Sequence, residues 1–72
     1  MSQRRFVYVG GNSSKFWEVA ATGLNLSVRY GRIGTDGQGS TKAFPDQAAL
    51  NRHTEKLIAQ KLAKGYREVP AA

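Results

Sequence analysis

Alternating apolar and polar positions in the first two-thirds of the chain predict β-strands separated by glycine-containing turns. Side chains with high β propensity fill these segments, whereas the intervening positions carry Gly, Asn and Ser, which are typical of turns. The predicted strands cover residues 5–9, 15–21, 24–33 and 38–44. The pair Asp36-Gly37 predicts a type I′ turn before the last strand, which has no apolar face and is expected at a sheet edge.

Alternation also predicts which side chains face the core. In the second strand Trp17 and Val19 share one face, and Phe16 and Glu18 share the other. A stacking role is the alternative for Trp17, but so small a domain needs the indole for its core, so we expect burial. In the third strand the shared apolar face carries Leu24, Leu26, Val28 and Tyr30.

The last third of the chain predicts one amphipathic helix. Pro45 and Asp46 mark its start, because proline suits a first turn and aspartate caps it or complements the dipole. Gly65 marks its end as the residue after the cap, and Lys61 and Lys64 complement the dipole of the final turn. The apolar stripe, close to a 3.6-residue repeat, comprises Leu50, Thr54, Leu57, Ile58 and Leu62.

Together these elements predict an α+β fold: a small antiparallel sheet of four to five strands with one C-terminal helix packed on one face. Residues 66–69 are expected to return as a short strand. A length of 72 residues leaves no room for a second domain. We therefore expect one domain over residues 1–72, with a core over about 4–69 and a frayed tail at 70–72.

Charge and composition limit the classes of function that fit this sequence. Eleven Lys and Arg against five Asp and Glu give a formal net charge of +6, which favours polyanionic partners through counterion release. The chain has one His and no Cys, too few ligands for a tetrahedral metal site, and His53 is expected to pack at the helix flank. The glycines around position 34 match neither the dinucleotide fingerprint nor the Walker pattern. We expect no enzyme activity, no cofactor and no metal.

The beginning of the chain predicts neither export nor membrane insertion. Its apolar run, residues 6–9, is too short for a signal peptide or a membrane span. We therefore expect a cytoplasmic protein.

Three blocks in the second strand, the central hairpin and the helix end resemble one known family. They are residues 14–19 (SKFWEV), 29–38 (RYGRIGTDGQ) and 61–66 (KLAKGY), and in this order they resemble the WGR domain family over about residues 4–69. The family takes its name from Trp-Gly-Arg. This chain has Tyr30 in place of the Trp and keeps Gly31 and Arg32.

The resemblance implies a function. WGR domains occur in some poly(ADP-ribose) polymerases, where they bind DNA near strand breaks and relay binding to a catalytic domain, and also in short bacterial proteins. It implies a non-catalytic nucleic-acid-binding module here, with DNA the expected ligand and RNA the alternative. A relay role would require a separate catalytic or regulatory protein partner.

Candidate contacts follow from the motif and its surroundings. Arg32 is expected to bind phosphate through its guanidinium fork, although an exposed strand arginine without a special role is the alternative. Tyr30 is expected to stack on a terminal base or sugar while burying part of its ring. Gln38 is either a further contact or a local hydrogen-bonding partner within the hairpin. The remaining candidates are Arg29, Lys42, Arg4 and Arg5.

A protein-interaction module is the competing hypothesis. An edge strand over residues 38–44 offers unpaired N–H and C=O groups to a second copy or to an acidic partner. On this basis we expect a monomer or a weak homodimer.

Overall fold

The computed structural model describes residues 2–70. This part of the chain forms strands β1 (Ser2–Gly10), β2 (Ser13–Thr22), β3 (Asn25–Arg32), β4 (Gln38–Ala43) and β5 (Arg67–Val69) and helix α1 (Gln47–Ala63). The strands form one antiparallel sheet in the order β4-β3-β2-β1-β5. The predicted α+β fold is confirmed, including the short returning strand and the edge position of β4. Residues 71 and 72 of the predicted tail lie outside the described residues.

The register of the three central strands divides the sheet into two faces. Trp17 pairs with Phe6 of β1 and with Tyr30 of β3, so these three side chains lie on the same face. Their neighbours Phe16 and Glu18 lie on the other face. We call the side that packs against α1 the helix face and the opposite side the open face.

The core lies between the helix face and α1. Phe6 and Trp17 are buried there, with ring centroids 5.6 Å apart. The predicted burial of Trp17 is confirmed, with 3% of its surface exposed. The other buried members of the cluster are Val19, Leu26, Leu50 and Ile58.

Two apolar residues lie outside this core, against expectation. Leu24 precedes β3 and is 40% exposed, because the chain is still turning there and has not entered the sheet. Leu62 is 50% exposed, although it lies four residues after the buried Ile58, because it is next to the last residue of α1, beyond the buried part of the helix.

Local signals set both ends of α1. The Ala49 N–H donates to Asp46 Oδ1 at 2.8 Å, so the predicted aspartate cap is confirmed. Pro45 precedes this cap instead of lying in the first turn. Beyond the other end, Gly65 has φ +101, the left-handed conformation that favours glycine. His53 packs against Phe44, with ring centroids 5.1 Å apart, as expected for a residue at the helix flank.

The β3–β4 connection differs from the predicted type I′ turn. Such a turn needs positive φ at both central residues, but among the described residues only glycines have positive φ, so Asp36 does not qualify. Residues 33–37 form the connection, which folds back onto the end of β3. A Cβ on Gly31 would lie 2.7 Å from Gly37 Cα, so this close approach requires glycine at position 31.

Within residues 2–70, no helix has the length and apolar character needed to span a membrane.

Candidate nucleic-acid interface

Tyr30 lies near the end of β3 and combines partial burial with exposure. Its partners in the sheet are Trp17 of β2 and Gln38 of β4. The side chain is 47% exposed, and its hydroxyl lies 3.5 Å from Gln38 Oε1. This arrangement meets the expectation of a half-buried ring and places Gln38 beside it on the helix face.

Arg32 lies two residues further along β3, on the same face. Its cross-strand partner is Lys15 of β2, and both side chains are exposed. Lys15 Nζ lies 5.3 Å from the centroid of the Tyr8 ring. The sheet register therefore places two cations side by side at the end of the β2–β3 hairpin.

Lys61 approaches the same region from α1. Its Nζ lies 5.4 Å from the Tyr66 ring centroid and 5.6 Å from that of Trp17. Burial, followed by the nearby charges of Lys64 and Lys15, lowers the pKa of Lys61 below its ordinary value. A bound anion would favour the charged form of Lys61 against both effects.

These groups line one depression of about 340 Å³. Hydroxyl and amide side chains of the β1–β2 turn form part of its wall. A neighbouring depression of about 300 Å³ lies on the other side of Tyr30 and Lys61, and Lys42 lines it. The first depression is lined by Asn12, Ser13, Ser14, Lys15, Phe16, Tyr30, Gly31, Arg32, Lys61 and Tyr66.

The structure separates the three other predicted arginines from this depression. Arg4 lies on the helix face at the far side of the sheet and forms a two-pronged ion pair with Glu68 at 2.7 and 2.8 Å. Arg5 and Arg29 lie on the open face, because each pairs in register with Glu18. All three arginines therefore already have a carboxylate partner.

Glu18 is the centre of this arrangement on the open face. Its Oε1 accepts two hydrogen bonds from Arg29, at 2.7 and 3.0 Å, and its Oε2 accepts one from Arg5. Burial acts to raise the pKa of Glu18, but the hydrogen bonds from Arg29 and Arg5 outweigh it and hold the pKa below its ordinary value. The two guanidinium groups also cover the Phe16 ring, at 4.9 and 5.6 Å from its centroid.

By contrast, no ion pair within residues 2–70 involves Lys15, Arg32, Lys42 or Lys61. Of the predicted contacts, the structure thus places Tyr30, Arg32, Gln38 and Lys42 on the helix face, where Arg32 lines the first depression, Lys42 lines the second and Tyr30 lines both. Sequence reasoning overlooked Lys15 as a contact and explained Lys61 only by the helix dipole. The signal for Lys15 was its register with Arg32, which becomes visible once the β2–β3 hairpin is aligned.

The depression offers cations, hydroxyls and an exposed ring, which are the groups that bind phosphate and stack on bases. Among the described residues, no cluster of three or more His, Cys, Asp or Glu side chains is arranged to hold a metal ion.

Comparison with known proteins identifies the family to which these strands and the segment Tyr30-Gly31-Arg32 belong. The WGR domain family matches residues 3–72, nearly the whole chain. The chain belongs to the WGR domain family. Nothing in that assignment points to catalysis, and the family is consistent with nucleic-acid binding.

Two curated relatives of this WGR domain come from Escherichia coli K12. The uncharacterized protein YfeS is 40% identical over 68 residues, covering 94% of this chain and 28% of YfeS. The protein YehF is 43% identical over 65 residues, covering 90% of this chain and 24% of YehF. The WGR domain thus spans about a quarter of the length of these relatives.

A crystal structure of a Bacteroides fragilis protein from a structural genomics programme has the same fold. It superposes with a TM-score of 0.91 at 39% sequence identity, covering 96% of this chain and 20% of the other.

Proposed function

We propose that this WGR domain is a non-catalytic nucleic-acid-binding module that contacts DNA phosphates, and an end or nick, through the segment Tyr30-Gly31-Arg32. One observation carries the proposal: cations that have no carboxylate partner within residues 2–70 line the same depression as a half-exposed ring. Family membership supports the same function.

Electrostatics supports a polyanionic ligand at this position. Lys15 and Arg32 are cross-strand neighbours, and Lys61 approaches from α1 into the same depression. Like charges placed together lower stability unless an anion neutralises them. A phosphodiester provides that anion, and release of its counterions adds a favourable entropy.

Tyr30 supplies the contact with an unpaired or terminal nucleotide. Aromatic rings stack on bases and sugars that are not held within a continuous duplex, and 47% of Tyr30 is exposed for this purpose. Its hydroxyl lies 3.5 Å from Gln38 Oε1. A duplex end or a nick offers an accessible nucleotide, whereas an intact duplex offers only phosphates.

The proposed role has no chemical step. The family's relay of DNA binding to a catalytic domain would require such a domain in addition to this one, and the residues aligned here make up about a quarter of YfeS and YehF. The domain itself would provide recognition and positioning.

Titration of labelled oligonucleotides at several salt concentrations tests the proposal. We expect binding to nicked and blunt-ended DNA, with log affinity falling by about 3.6 per decade of salt if about four phosphates are engaged. Comparison with intact circular DNA and with single strands of matched sequence measures how much the ends contribute to the affinity. RNA counterparts decide between DNA and RNA.

Salt-independent association, or no binding to any of these oligonucleotides at low salt, would contradict the proposal. Equal affinity for nicked and closed duplex would retain phosphate binding but remove the stacking role of Tyr30.

A further inference from the structure

The outer edge of β4 is a free edge within the described sheet. β4 is the terminal strand in the order β4-β3-β2-β1-β5, and every residue from Gln38 to Ala43 is exposed. A free edge presents unpaired N–H and C=O groups that another strand can bind. This edge lies on the opposite side of β3 from Lys15 of β2.

The hydrogen-bond pattern shows which groups this edge presents. The Phe44 N–H donates to Leu24 O at 2.9 Å, which makes this a hydrogen-bonded pair. Such pairs alternate with non-hydrogen-bonded pairs along antiparallel strands, so every second residue of β4 directs its N–H and C=O groups outward. These residues are Gly39, Thr41 and Ala43.

The same three residues carry their side chains on the open face, beside Arg29. Arg29 pairs with Gly39, which has no side chain, so no side chain at that position separates Arg29 from the free edge. Adjacent strands lie about 4.8 Å apart, and a residue added opposite Gly39 would be about 10 Å from the Arg29 backbone. The combined length of an arginine and an acidic side chain spans that distance.

In the unbound domain the Arg29 side chain leans toward β2, away from this edge, because its guanidinium group lies over Phe16 and donates to Glu18. Its Nε and Nη2 donate to Glu18, which fixes the plane of the guanidinium group, and its side chain is 51% exposed. Within the described residues, Nη1 has no hydrogen-bond partner. Binding a carboxylate across Gly39 therefore requires the Arg29 side chain to turn from Glu18 toward β4.

Charge identifies the kind of strand that fits. The charged side chains that the register places on the open face within residues 2–70 are Arg5, Arg29 and Arg67 against the single carboxylate of Glu18. The only charged residue of β4 is Lys42. An antiparallel second copy of β4 would bring a further Lys42 and Arg29 to the same edge, which adds repulsion.

Nucleic acid is a poorer fit here than protein. Phe16, the aromatic ring at the centre of the open face, is 2% exposed, so it cannot stack on a base. A trough of about 560 Å³ lies next to the edge and has small side chains, among them Ala20, Ser27, Gly39 and Thr41. An extended peptide fits such a shallow trough better than a duplex does.

We propose that the free edge of β4 binds an extended acidic segment of a protein partner by strand addition, with Arg29 pairing with a carboxylate across Gly39. The peptide would contact the outer edge and the open face of β4, whereas Tyr30 and Arg32 lie on the helix face.

Peptide titrations of the isotope-labelled domain test the inference. The probes are blocked peptides of roughly ten residues with alternating Thr and Glu, and the same peptides with Lys in place of Glu. We expect the Glu peptide to bind about tenfold more tightly than the Lys peptide. It should also slow hydrogen exchange at the Gly39, Thr41 and Ala43 amides.

Two pairs of variants locate the contact. Arg29→Gln is expected to remove most of the preference for the Glu peptide, whereas Arg67→Gln, on the same face at the far edge, should retain it. Thr41→Pro removes one outward N–H and is expected to abolish binding without breaking the pairing with β3, whereas Thr41→Val keeps that N–H and retains binding.

The inference is overturned by equal binding of the Glu and Lys peptides, or by no binding of either. It is also overturned if the perturbed amides surround Tyr30 instead of β4. Self-association through β4 in sedimentation experiments, without peptide binding, would assign the edge to a second copy of the chain.

Discussion

The arginines on the open face and the cations around Tyr30 differ in their partners, although all carry the same charge. Arg5 and Arg29 donate to Glu18, which fixes both groups and covers Phe16. Lys15, Arg32 and Lys61 gather at one depression without an ion pair in the described chain. Paired arginines stabilise the fold, whereas the unpaired cations can bind an anion without losing an ion pair.

This difference changes how the net charge of +6 is interpreted. The formal charge counts every cation equally. Cations next to a carboxylate are neutralised, whereas cations without such a neighbour can attract an anion. Glu18 and Glu68 together hold three arginines on regions of the sheet away from Tyr30. The distribution of acidic residues therefore defines the binding face as much as the basic residues do.

Removal of the Arg32 side chain should have the largest effect on binding. We expect Arg32→Ala to weaken nucleic-acid binding by about 1–3 kcal/mol, since a guanidinium–phosphate pair is lost, with little change in stability. Fluorescence anisotropy measures the affinity, and Arg52→Ala on an exposed position of α1 is the matched control. Equal effects of the two variants would remove Arg32 from the interface.

Glu18→Gln should mainly affect the paired arginines of the open face and therefore the stability of the fold. We expect a loss of about 1–2 kcal/mol of unfolding free energy near neutral pH, because two guanidinium groups lose their shared carboxylate. Nucleic-acid affinity should change little. Glu55→Gln on exposed α1 is the control, and chemical denaturation is the measurement.

The role of Glu18 in stability also predicts how the free energy of unfolding changes with pH. The pKa of Glu18 is lowered in the folded protein, so its contribution is present above the ordinary glutamate value of about 4.3 and is lost as pH falls through the lower folded value. Stability of the wild type should therefore fall in acid more steeply than that of Glu18→Gln. Parallel curves for the two proteins would contradict the assigned role.

Lys61→Gln should have a smaller effect on binding, of about 1 kcal/mol. If Lys61 contacts one phosphate, the salt slope should decrease by about 0.9 relative to the wild type. Lys64→Gln is the control, because it makes the same charge change at the C-cap of α1. It should keep the wild-type salt slope if only Lys61 reaches the depression. Identical slopes for Lys61→Gln and wild type would exclude the contact.

A related pH effect distinguishes binding from structure at Lys61. Because its pKa is lowered and a bound phosphate would raise it, affinity should fall as pH rises through that pKa, below the ordinary lysine value of about 10.4. Lys61→Gln should lack this component, and Lys61→Arg should restore affinity without it. Titrations between neutral and alkaline pH supply the measurement.

Tyr30→Trp should produce the smallest change. Indole has a larger stacking surface than phenol, and we expect a gain of about 0.5 kcal/mol for a nicked duplex relative to a closed one. The preference for ends, not the total affinity, is the quantity to compare. A gain that is equal for both duplexes would indicate a general packing effect.

Elements with strong local signals could be predicted from the sequence. Asp46 caps α1 and Gly65 follows its end, because capping depends on the side chains and backbone of a few adjacent residues. Alternation in β2 likewise predicted that Trp17 is buried. The type I′ turn at Asp36 was wrong, since the close approach of Gly37 to Gly31 dictates a longer connection.

The candidate site was less accessible to sequence reasoning. Arg29 and Arg32 are three positions apart in one strand, so alternation alone places them on opposite faces. The prediction from charge nevertheless assigned both to one nucleic-acid interface. Lys61 and Lys15 come from different elements, and only the packing of α1 on the sheet brings them together. Which arginines are neutralised depends on cross-strand partners such as Glu18, which become known once the register is known.

Mapping a nicked duplex onto the domain by amide and side-chain NMR shifts tests the central claim most directly. The largest perturbations are predicted at Lys15, Tyr30, Arg32 and Lys61, while Arg5, Glu18 and Arg29 change little. Perturbations centred on the Arg5–Glu18–Arg29 cluster, with none around Tyr30, would contradict the account.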